Sequence, residues 1–173
     1  MRVKDKLIYG ISSILCVFIL SAIIMSFSIK DIENISEQTS TESLPMAMLA
    51  ADSKFQSCQI QQFLTDSSLT QDAEVIKEAQ ASYDKFMQNL NEFEKMFKSE
   101  NNQSELDKLN KMREKAKALF ENGKKMVSSY ATSKEQGDLV MEELDKSTEE
   151  LATLVDELKD TQVKEAITNS KSL

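Results

Sequence analysis

Apolar residues recur at alternating spacings of three and four over almost all of residues 28–173, the spacing of helices packed along a common seam. The clearest stretch holds Ile76, Ala79, Tyr83, Phe86, Leu90, Phe93 and Phe97 without a miss. A second gives Leu109, Met112, Ala116, Leu119, Gly123, Met126 and Tyr130, and a third Val140, Leu144, Ser147, Leu151, Leu154 and Leu158. Ahead of them Ile32, Ile35, Thr39, Met46, Leu49, Ile60 and Phe63 keep the pattern, while Glu42, Ser53 and Gln56 interrupt it. With 3 Gly and 1 Pro in 173 residues there is little turn material for a sheet. The fold class expected is all-α.

Start signals divide the pattern. Ser68-Leu69-Thr70-Gln71, Asn102 with Glu105, and Ser133 with Gln136 can each form a capping box, and Gly137 marks the last connection. Helices are therefore expected near 28–66, 71–99, 103–132 and 138–170. Pro45 should kink or divide the first of them, because it removes a backbone donor and pushes Leu44 away from helical geometry. Short connections between long helices favour antiparallel neighbours, hence an up-down-up-down four-helix bundle. At 1.5 Å per residue the first helix climbs about 57 Å and the last segment descends about 52 Å.

The run Leu7–Phe27 carries no charge over 21 residues. That length suits a helix crossing about 30 Å of hydrocarbon and exceeds the 7–15 residues typical of a cleaved leader, although Ser26-Phe27-Ser28 offers a small-x-small site. Arg2, Lys4 and Lys6 precede the run with Asp5 the only acid, which predicts a cytoplasmic N-terminus. The domain organisation expected is a cytoplasmic tip (1–6), a transmembrane helix (7–27) and an extracytoplasmic bundle (28–173), held single-pass in the inner membrane.

Composition narrows the function. The net charge is −8, and the first 29 residues carry +2, leaving −10 for the remainder. Such a surface repels phosphate backbones, so nucleic acid is not an expected partner. Histidine is absent, which removes Glu-x-x-His di-iron sites, His-ligated haem and Ser-His or Cys-His nucleophiles. Cys16 and Cys58 form no metal or redox spacing; Cys58 is expected as a small buried apolar residue, the other reading being a dimer cross-link. No cofactor, no metal site and no enzyme activity are expected, beyond weak cation binding at acid pairs such as Glu149-Glu150.

Two stretches resemble the sensor region of bacterial methyl-accepting chemotaxis proteins of the four-helix-bundle type. Leu44-Pro45, Lys54 and the string Cys58-Gln59-Ile60-Gln61-Gln62-Phe63-Leu64-Thr65-Asp66-Ser67-Ser68 are similar to the first helix of one large receptor group. Lys124-Lys125-Met126, Tyr130, Gly137-Asp138, Met141, Leu144-Asp145 and Leu151 resemble a second family pattern. The likeness departs where Asp138 stands for the family Asn and Leu144 for Phe, and no Ala-Thr-Arg-Gly follows Ser68. These 173 residues hold no counterpart of the family's second span, linker module or methyl-accepting coiled coil. The resemblance implies a ligand-sensing chemoreceptor domain, working as a homodimer and truncated here; the alternative is a stand-alone membrane-anchored adaptor that pairs with receptors.

The polar interruptions are where a small-molecule ligand would bind. Gln59, Gln62 and Asp66 share one helix face, and each glutamine offers two donors and an acceptor. The plainer alternative leaves the glutamines solvating the rim and Asp66 capping the second helix. Arg113, the only arginine after the apolar run, adjoins the seam at Met112 and could clamp a carboxylate bidentately, as the resemblance implies; otherwise it forms a surface ion pair. Tyr83 and Tyr130 occupy seam positions, as core aromatics with a wet hydroxyl or as ligand contacts.

Overall fold

The computed structural model describes the backbone of residues 3–171 and the side chains of residues 15–171, other than 28, 31, 34, 35 and 38. Among these residues the protein is all-α. Helix α1 (Val3–Gln38) runs into a π-helical turn (Thr39–Ser43), followed by α2 (Leu44–Thr70), α3 (Ala73–Ser99), α4 (Gln103–Tyr130) and α5 (Lys134–Lys171). Pro45 divides the chain as expected. It sits in the first turn of α2, a position that tolerates a residue without an N–H. The backbone ahead of it widens into the π turn.

The expected membrane anchor is corrected. No helix among the described residues is long and apolar enough to cross a membrane. Arg2 and the side chains of residues 7–14 lie outside the described residues, and the described apolar stretch is 15–27. At 1.5 Å per residue it rises about 20 Å, short of a hydrocarbon core of about 30 Å, and Lys30 and Glu33 follow it. The inner-membrane, single-pass placement falls with the anchor. Among the described residues helix α1 touches the π turn and α5 alone, and Leu15, Phe18, Ile24 and Phe27 are exposed.

The other helices pack against one another. Helix α2 meets α3, α4 and α5, and α4 lies along α5. Side-chain pairs fix the registers: Asp52 with Asn89 joins α2 to α3, Lys54 with Asp156 joins α2 to α5, and Ser43 with Asn169 joins the π turn to α5. Lys115 with Glu150, Asn122 with Ser147 and Lys125 with Glu143 step down α4 as they climb α5, so that pair is antiparallel.

The seams of α3, α4 and α5 follow the expected apolar spacing. Phe86, Leu90, Phe93, Leu109, Met112, Leu119, Leu144 and Leu151 are buried, each burial contributing about 1.5–3 kcal/mol. The seam of α2 does not. Ile32 is exposed, Ile35 lies outside the described side chains, and Met46, Leu49 and Phe63 only flank the core. The buried line is Ser43, Ala47, Ala50, Ser53, Ser57, Ile60, Leu64 and Ser67. Ser53, read as an interruption, is fully buried, its hydroxyl returning to the Leu49 carbonyl at 2.9 Å. Small side chains let the neighbouring helices come close to the α2 backbone.

The caps are mixed. Asn102 accepts from the Glu105 N–H and Ser133 from the Gln136 N–H, as expected. The Ser68–Gln71 box is not formed, because α2 continues to Thr70 and Asp72 caps α3 by accepting from the Glu74 N–H at 2.9 Å. Gln71 ends α2 at φ 57°, in the left-handed region, and its side-chain amide holds it there by donating to the carbonyls of Ser68 and Val127. Gly137 is not a connection. It lies buried within α5 under the ring of Tyr130, and α5 starts four residues earlier than expected.

Candidate functional site: the polar positions of α2 and α3

The face of α2 turned away from its buried serines carries Gln59, Gln62 and Asp66. Gln59 donates from Nε2 to Gln62 Oε1 at 3.0 Å, one turn apart. The bond uses one donor of Gln59 and one acceptor of Gln62, so the Gln62 amide hydrogens and the Gln59 carbonyl oxygen remain to meet a ligand. Asp66 lies one turn further along, exposed within α2; the cap it could have supplied comes from Asp72. Cys58 beside them is exposed, not buried as expected.

Arg113 is not brought to this face. Its two terminal nitrogens donate across to α3, to Asn91 Oδ1 at 2.8 Å and Glu94 Oε2 at 2.6 Å. Glu94 thus occupies the fork that a ligand carboxylate would have taken. The Lys98 ammonium, which bonds the same carboxylate, and the Arg113 guanidinium hold Glu94 below the usual glutamate range. Since Asn89 of α3 reaches Asp52 of α2, Arg113 lies level with the lower part of α2, about 15 Å along the axis from Gln62. No family model, characterised protein or solved structure compared with the chain matches it.

A second polar region had no clear signal in the sequence. Asn89, 2% exposed, donates to Asp52 Oδ2 at 2.7 Å, while Asp52 Oδ1 accepts from Gln56 at 3.1 Å. Gln56, another expected interruption, is therefore satisfied within its own helix. Beside this trio Leu49, Lys85, Asn91, Glu92 and Lys95 border a cleft of about 390 Å³. Lys95 pairs with Glu92 at 2.7 Å, which leaves the charge of Lys85 as the net charge of the lining.

The two tyrosines take structural positions. Tyr83 is half-buried and stacks on Phe120 with centroids 4.9 Å apart, and burial, with Asp84 and Glu121 nearby, pushes its hydroxyl pKa up. Tyr130 donates to Asp138 at 2.7 Å. The acid pair Glu149-Glu150 is broken up by Lys115, which holds Glu150 at 2.6 Å.

Proposed function

We propose that the chain is a non-catalytic helical sensing module of the chemoreceptor type, with α2–α5 arranged as an up-down-up-down four-helix bundle and α2 as its sensing helix. The observation that carries this reading is the division of α2 into two faces. One face is buried, with serine and alanine from Ala47 to Ser57 and then Ile60 and Leu64, on a helix that meets three others; the opposite face presents the Gln59–Gln62 pair, on the string that resembles the receptor family. From Ala47 to Ser57 the buried face is small and smooth, so this part of α2 can shift along its neighbours by an ångström or two, while Ile60 and Leu64 seat the part beside the glutamines as knobs that move with it. The Lys54–Asp156 and Asn169–Ser43 contacts tie its position to α5. A ligand on the glutamines would bias that position, which is the switching element a sensor requires.

The test is a thermal-shift screen of the full chain against amino acids, small carboxylates and polyols. A ligand that raises Tm in the native chain, and fails to do so in Gln62→Ala of unchanged ligand-free Tm, supports the reading. A Gln62→Ala variant that still responds, or a chain that responds to none of these classes, overturns it.

A further inference from the structure

At the far end of α2 from the glutamines, about 20 Å down the helix, the π turn, α2 and α5 border an open apolar groove of about 530 Å³. Its size falls in the range of small-molecule pockets, about 300–1,000 Å³. Its walls are Leu44, Met48 and Ala51 from α2 and Val163 and Ile167 from α5. Leu44, Met48 and Ile167 are 52%, 66% and 48% exposed, so the walls face solvent.

Two polar features stand in this apolar lining. Thr39 Oγ1 is the one buried side-chain oxygen without a hydrogen-bond partner among the described residues. Its neighbours Ser40 and Thr41 each donate to the carbonyl one turn back, at 2.7 Å, and Thr39 does not. A buried hydroxyl left unpaired costs about 1–3 kcal/mol, so a ligand atom that accepted from it would recover that cost. The residue belongs to the π turn, a distortion that recurs at binding sites. Lys171, at the C-terminal end of α5, lines the same groove and makes no ion pair among the described residues.

We propose that this groove binds a medium-chain carboxylate, its alkyl chain between α2 and α5 and its head taken by the Thr39 hydroxyl and the Lys171 ammonium. Orphan donor, cation and apolar trough match the three parts of such a molecule. A second copy of the chain is a poorer occupant, because each copy carries −8 and the outer face of α2 turns polar above Phe55, at Gln59, Gln62 and Asp66. The groove and the glutamine pair are far enough apart that each can fail without the other.

Titration calorimetry of the full chain with decanoate, held below its micellar concentration, tests the assignment. The expected result is saturable binding of one decanoate per chain. Ala51→Trp, which fills the groove from an exposed position, should weaken it at least tenfold with unchanged circular dichroism. Thr39→Val and Lys171→Gln should each weaken it severalfold, and decanol should bind more weakly than decanoate. Absence of saturable binding, or binding indifferent to both Ala51→Trp and Thr39→Val, overturns the proposal. So does a dimer by sedimentation that Ala51→Trp dissociates, which would make a second copy the occupant.

Discussion

Tyr130, the last residue of α4, lays its ring over Gly137 of α5 and donates its hydroxyl hydrogen to Asp138 at 2.7 Å. The corner is a lock between consecutive helices: the glycine admits the ring and the carboxylate orients it. Both residues fall in the stretch that resembles the second receptor pattern, and their job here is to close a turn.

The shared bond lowers the Asp138 pKa and raises that of Tyr130. Its contribution is complete above the ordinary carboxylate value near 3.9 and is lost as pH falls through the lowered Asp138 value. At the alkaline end it is complete below the ordinary tyrosine value near 10 and is lost as pH rises through the raised Tyr130 value. Tyr130→Phe should therefore lower Tm across the neutral range, and the gap to the native protein should close at both extremes. Melting curves at a series of pH values check this; a pH-independent gap would assign the loss to packing.

Gly123 of α4 faces Leu64 of α2 so closely that an added Cβ would lie 2.9 Å from its Cγ and 3.0 Å from its Cβ. Leu64 is fully buried and has no room to swing aside. Gly123→Ala gains about 1 kcal/mol of helix propensity but meets an overpacking cost of about 1–3 kcal/mol. Net destabilisation is expected in urea melts, and the double variant with Leu64→Ala should show non-additive coupling.

Lys54 and Asp156 tie α2 to α5, and the Lys54 hydrogen bond, helped by Lys159, holds the Asp156 pKa below the usual range. Both side chains are about two-fifths exposed, so the pair contributes no more than about 1 kcal/mol. Lys54→Met should lower Tm slightly above the ordinary aspartate value near 3.9, with the difference vanishing as pH falls through the depressed native value.

Glu100, at the end of α3, has its pKa raised by burial first and then by Glu165, Glu42 and Glu105. A raised carboxylate pKa works against the fold once pH exceeds the ordinary value near 4.3, and the negative charge also opposes the α3 dipole. Glu100→Gln should raise Tm at pH 7 and leave it unchanged at pH 3, by calorimetry.

Which polar positions are occupied by the protein itself was not legible in the sequence. Arg113 read as a carboxylate clamp, yet the carboxylate it holds is Glu94, nineteen residues earlier on another helix and within reach only once the α3–α4 hairpin has closed. Gln56 and Ser53 read as gaps in a seam; one bonds Asp52 and the other its own backbone. The buried line of α2 was present as serines and alanines with Ile60 and Leu64 at spacings of three and four, hidden because small side chains carry little apolar signal.

Local and periodic properties were settled by the chain alone. Apolar residues at 3.6 spacing with few breakers dictate helices, Pro45 dictates a division, and Asn102 and Ser133 dictate helix starts, because each acts within one or two turns of backbone. Only the tertiary structure decided which face of α2 is buried, where Arg113 reaches, and that Thr39 is left without a partner beside an apolar groove. Those outcomes depend on the shapes of neighbouring helices: a seam of small side chains is favourable only where large ones arrive from the other side.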